Sequence, residues 1–115
     1  MAPRKTSHTA AAFKGRWRIA TMVLWNTDTI DLVEPGFIAF NGDQGEMRFI
    51  AVQAWLDVRY GIRDGAPIAE FSWEGVDEGD QRSGRGWAAL KDDGSLAGHI
   101  FFHNGDDSAF TCRPR

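Results

Sequence analysis

The chain has 115 residues, 43% of them hydrophobic and 25% charged, with a formal net charge of −3. That length suits one domain around one core, and the composition is that of a globular protein rather than a disordered or membrane-embedded one. The acidic balance argues against a nucleic-acid-binding face on the folded part, because neutralising phosphates takes clustered Lys and Arg.

Charge is unevenly spread. Arg4, Lys5, Lys14, Arg16 and Arg18 occupy the first eighteen residues with no Asp or Glu among them. Residues 1–12 are small, polar or basic without periodicity, which predicts a flexible basic tail ahead of a single β-barrel domain over residues 13–115. The opening stretch lacks the apolar run of a secretory signal, no segment approaches the length of a transmembrane helix, and the lone Cys112 has no partner for an internal disulfide. The expectation is a cytoplasmic protein with no membrane and no nucleic-acid partner. No Cys/His spacing resembles a zinc site, so neither a metal nor another cofactor is expected.

From Phe13 onward, aromatic and aliphatic segments of strand length alternate with Gly and Asp clusters, the pattern of an all-β meander. "NTDTIDLVEPG" stands apart: Thr27 or Asp28 is placed to cap one helical turn through Leu32, which Pro35 would end. "FIAF" follows, then the hairpin pair Asn41-Gly42, then "MRFIAVQAW" and "LDVRYGI" as two strands, with Gly61 and "RDGAP" breaking the run. "IAEFSWEG" reads as a strand, "VDEGDQRS" as its acidic connection and "GRGWAALK" as its partner. "KDDGSL" and "HNGDDS" carry turn chemistry that places "LAGHIFFH" between "GRGWAALK" and "AFTCR". About eight strands in nearest-neighbour order predict an antiparallel up-and-down β-barrel, with a two-sheet sandwich as the alternative.

"GRW" (Gly15 to Trp17) on the first strand and Arg113 on the last resemble the Gly-x-Trp signature of the calycin superfamily of lipocalin- and avidin-type barrels. The resemblance implies that Trp17 closes one barrel end beneath the basic residue of the final strand, a cation–π pairing. No ligand residue of that superfamily carries over to this chain. A longer pattern resembles a family of small bacterial proteins that supplies no activity to transfer. It runs through Trp25, Ile30-Asp31, Pro35, "FSWEG", "GRG" and "GDDS".

Period-two alternation sorts the candidate site residues. Arg85, Trp87 and Ala89 share one face of their strand, His99, Phe101 and His103 one face of the next, and Phe71 and Trp73 one face of the preceding strand. Were these faces to point inward, Trp73, Arg85, Trp87, His99, Phe101 and His103 would line a pocket for a small, partly apolar ligand. Were Leu90, Leu96, Ile100 and Phe102 to point inward instead, the same residues would form an exposed aromatic stripe suited to homo-oligomer formation or protein docking.

His99 and His103 are about 13 Å apart on an extended strand, too far to share a metal. A third reading is a small lyase or isomerase with His103 as general base and Asp106 setting its tautomer. The acidic string Glu74, Asp77, Glu78, Asp80 lacks calcium-loop spacing and is expected to pair with Arg82 and Arg85. The Gly84-Arg85-Gly86 glycines are expected to let a neighbouring aromatic ring pack closely. The sequence leans toward non-enzymatic binding, so no catalytic residue is assigned.

Overall fold

The alternation resolves into eight strands in the computed structural model, which describes residues 5–114, with side chains from residue 9. They are β1 (Gly15–Met22), β2 (Phe37–Asn41), β3 (Gln44–Phe49), β4 (Val52–Arg63), β5 (Ala66–Asp77), β6 (Asp80–Leu90), β7 (Leu96–Phe102) and β8 (Asp107–Pro114). Each pairs antiparallel with its sequence neighbour, and β1 pairs with β8 to close the barrel. The expected meander is thus the observed one, and closure removes the two free edges an open sheet would expose.

Two hairpins follow directly from turn chemistry. Asp64-Gly65 and Glu78-Gly79 each take positive φ at both residues (52° and 80°, 52° and 87°), the geometry that matches the twist of paired strands. The second of these corrects the sequence reading of "VDEGDQRS". That stretch is almost wholly strand, with Asp77 opposite Asp80 and only Glu78-Gly79 left to turn.

The middle of the barrel needs another correction. "MRFIAVQAW" is not one strand, because the chain reverses at Ile50–Ala51 between the paired Phe49 and Val52. β4 then runs unbroken through Gly61 to Arg63. Ile50 takes φ 56°, a costly conformation for a β-branched residue. A tertiary contact holds it: the Ile50 amide donates to the Ile30 carbonyl at 2.7 Å.

Two helices close the barrel ends. Residues 1–4 of the expected tail lie outside the described residues, and from Lys5 the chain is helical, forming α1 (Lys5–Phe13). Ala10, Ala11 and Ala12 favour helix, and Phe13 is fully buried at one barrel end, in aromatic contact with Phe40 and Tyr60. Gly15, at φ 110°, turns the chain from this helix into β1. At the opposite end, α2 (Thr27–Ile30) is capped by Asn26, not by Thr27 or Asp28. The Asn26 side-chain oxygen accepts the Thr29 amide at 2.9 Å. Ile30 is buried there, and Trp25 packs on Phe49 with ring centroids 5.8 Å apart.

Trp17 does sit at the α1 end, 7% exposed. Its indole N–H donates to the Phe13 carbonyl at 2.8 Å. Arg113 does not stack on it: it pairs opposite Arg18 and follows the buried Cys112, on the outer face. The expected cation–π closure is therefore replaced by a hydrogen bond from the helix end.

Candidate functional site

The register of β5, β6 and β7 decides which way the candidate residues point. Phe71, Trp73, Gly86, Ala88, Leu96, Gly98 and Ile100 are buried, with Gly84 partly so, while Arg85 is exposed and Trp87, His99 and Phe101 are partly exposed between them. Trp73 therefore separates from the group it was read with. It faces the barrel interior, opposite Gly84, whereas Arg85 pairs opposite the exposed Ser72. The pocket reading that puts all six residues inside one cavity does not hold, because Trp73 shares the inner face with Gly84 whereas Arg85, Trp87, His99 and Phe101 lie on the outer face of β6 and β7.

The interior opposite the outer face is occupied by rings seated on glycines. A Cβ on Gly84 would lie 2.8 Å from Trp73 Nε1, one on Gly86 2.6 Å from Phe71 Cζ, and one on Gly98 2.6 Å from Phe110 Cζ. These glycines do what the sequence reading expected of the Gly84-Arg85-Gly86 triplet. Trp73 also donates its indole N–H to the Phe101 carbonyl at 3.2 Å, tying the inner ring to the backbone of the outer one.

On the outside, the cross-strand pairs Trp87 with His99 and Arg85 with Phe101 set four side chains in a small area. The Arg85 guanidinium stands 4.1 Å over the Phe101 ring. His99 packs on the same ring with centroids 4.5 Å apart and 31° between planes. His99 Nε2 in turn meets Asp107 Oδ2 at 2.5 Å. From β4, Arg63 reaches the Trp87 ring at 5.3 Å and pairs with Glu70 at 2.9 Å. The result is two cation–π contacts on one face drawn from three strands, Arg63 on Trp87 and Arg85 on Phe101, worth about 0.5–1 kcal/mol each where exposed.

A groove of about 570 Å³ runs along this face between Arg59, Arg63, Glu70, Arg85, Trp87 and Phe101. A second, of about 400 Å³, continues past Ser83 and Glu74 to His103. Among the described residues Arg85 has no carboxylate within salt-bridge distance, and Arg82 is the acidic string's cation, 3.9 Å from Asp80. The expected pairing of that string with Arg85 is thus absent, since Arg85 lies over Phe101.

His103 lies beyond the end of β7, exposed, with its backbone amide bound to the Ser83 carbonyl and its ring 3.3 Å from the Asn104 amide. Among the described residues the histidine–carboxylate pair is His99 with Asp107, not His103 with Asp106. Among the described residues no three His, Cys, Asp or Glu side chains are grouped to hold a metal. Cys112 is buried, and burial pushes its thiol up to about 12, which leaves it protonated and unreactive at neutral pH. No helix of the described residues is long and apolar enough to cross a membrane.

Sequence reasoning missed Arg63 and Glu70 as members of the face. "RDGAP" reads as a break in the sequence, whereas Asp64-Gly65 is a two-residue hairpin that lets β4 and β5 pair to their ends. That dipeptide was the available signal. The chain matches no family model, no curated protein and no solved structure.

Proposed function

We propose that this protein is a calycin-like barrel acting as a non-enzymatic interaction module, which associates with a second copy of itself through the outer face of β4 to β7. The observation that carries the reading is the outward orientation of Arg85, Trp87, His99 and Phe101 over an interior filled by Phe71, Trp73 and Phe110. Rings in a filled interior leave the binding surface on the outside, and Trp, Phe and Arg are the residue types that anchor interfaces.

Charge supports a copy of the same chain as partner. The face sets cations beside carboxylates: among the described residues Arg85 has no carboxylate partner, while Glu70 and Asp107 are 61% and 55% exposed. A two-fold axis through such a mixed patch brings Arg85 of each copy to a carboxylate of the other, since an isologous interface must be self-complementary.

Size-exclusion chromatography with light scattering tests this. The wild type should run as a dimer at micromolar concentration, and Trp87→Ala and Arg85→Ala should each run as monomers with unchanged circular dichroism. A wild type that stays monomeric to millimolar concentration, or a dimer indifferent to both substitutions, would overturn it. The 570 Å³ groove favours a second reading, in which a small ligand with a carboxylate meets Arg85 and its flat apolar part meets Trp87. A metabolite screen read by tryptophan fluorescence, with Trp87→Ala as control, separates that case from dimer formation.

A further inference from the structure

The barrel end opposite α1 holds a second concave site, distinct from the outer face. Trp25, the Ile50 turn, the Glu78-Gly79 hairpin and the β7–β8 turn enclose a pocket of about 460 Å³ there, within the size range of small-molecule sites. Its apolar wall is aromatic and continuous with the core. Trp25 packs on Phe49, Phe49 on Phe102 at 6.1 Å, and Phe102 edge-on to Trp73 at 5.1 Å. Trp25 and Phe102 are only partly buried, so both rings are accessible from the pocket.

The polar rim has a definite sign. Asp77, Glu78 and Asp106 border the pocket, and among the described residues none of the three has an ion-pair partner. Arg82 is the guanidinium on the rim, and it already lies 3.9 Å from Asp80. His103 and Asn104 complete the border.

We infer that this pocket binds a small organic cation, a primary or quaternary ammonium attached to a flat apolar body. Three chemical comparisons select that class. An anion would meet three carboxylates against one guanidinium that is already partnered. A neutral apolar molecule would cover the rim carboxylates without replacing their hydration, which is costly. An ammonium gains from both walls at once: the carboxylates supply opposite charge, and the partly exposed rings of Trp25 and Phe102 supply aromatic surface to which a cation is attracted.

The probe pair is phenethylammonium and phenylacetate, which share a ring and differ in the sign of the head group. Titration of the full chain is followed by the indole N–H signals in heteronuclear NMR, with Trp25 assigned through Trp25→Phe. Phenethylammonium should move the Trp25 signal saturably, and phenylacetate should bind at least tenfold more weakly. Trp25→Ala, followed by the backbone amide signals of Asn104 and Gly105 on the pocket border, should abolish binding, Asp106→Asn should weaken it about threefold or more, and Trp87→Ala should leave it unchanged. Absence of saturable binding by the ammonium, equal or tighter binding of phenylacetate, or full binding by folded Trp25→Ala would each overturn the inference. Because Trp87 lies outside this pocket, failure here and failure of the outer-face dimer are read in separate experiments.

Discussion

Replacing Gly86 with alanine would place a Cβ 2.6 Å from Phe71 Cζ and 2.7 Å from the His99 carbonyl oxygen. Both distances are below ordinary van der Waals contact, so either the Phe71 ring or the β6–β7 pair must shift. Overpacking of this kind costs about 1–3 kcal/mol. Alanine recovers about 0.5–1 kcal/mol over glycine through lower backbone entropy in the unfolded chain. The net expectation is a loss of about 0–2.5 kcal/mol, centred near about 1 kcal/mol, read as a lower urea midpoint at unchanged slope. Gly61→Ala is the internal control, since nothing lies within 4 Å of its Cβ position, and it should be neutral or slightly stabilising. Gly84→Ala should cost more than Gly86→Ala, because its Cβ would fall on the Phe101 carbonyl oxygen, which cannot rotate away. Shortening the ring should rescue. Phe71→Leu combined with Gly86→Ala should be less destabilised than the sum of the two single changes, by about 0.5 kcal/mol or more. If Gly86→Ala is as silent as Gly61→Ala, or if the double variant is strictly additive, then Phe71 does not fill the seat over Gly86. A filled interior would then no longer support the outer face as the proposed binding surface.

Further expectations concern the barrel ends and the buried thiol. Burial raises the Cys112 thiol from its ordinary 9.0 to about 12, so the folded state keeps its proton where the unfolded state has lost it. Its contribution is fully present below pH 9 and is lost between pH 9 and about 12 at roughly 1.4 kcal/mol per pH unit. Denaturation of wild type and Cys112→Ala across that range should show their stability difference changing with this slope, and parallel profiles would refute it. Burial and the neighbouring Asp43 raise the Tyr60 hydroxyl in the same sense, but that contribution is common to both proteins and cancels in the difference. Ile50→Gly removes a left-handed conformation costing about 1–2 kcal/mol while losing a partly buried side chain, so it should lie within about 1 kcal/mol of wild type. Ile68→Gly, buried within β5, should lose several times more, and equal losses would show that the Ile50 turn is unstrained. Trp17→Phe should cost about 1 kcal/mol in thermal or urea unfolding, the worth of the hydrogen bond that ties β1 to the end of α1; no change would show that the bond contributes nothing.

By itself the sequence determined what is local. Alternation along β5, β6 and β7, and turn stretches such as "KDDGSL" and "HNGDDS", depend on φ preferences and side-chain direction within a few residues, although the first hairpin turns at Gly42-Asp43, one residue beyond the expected Asn41-Gly42, because Asn41 stays in β2 opposite Gln44. The eight-stranded meander and the sets of residues sharing a face were therefore legible in advance. Only the tertiary structure decided which set faces the core, because period-two alternation fixes two faces without saying which is inner. That choice turned on the packing of Phe71, Trp73 and Phe110 over glycines of adjacent strands. The turn at Ile50 was invisible for a related reason: its geometry is held by the Ile30 carbonyl of a distant segment, not by a residue that favours positive φ. The Arg85–Phe101–His99–Asp107 ladder likewise joins three strands whose register no single segment encodes. Local chemistry selected the strands, and closure of the barrel selected which of their faces is exposed.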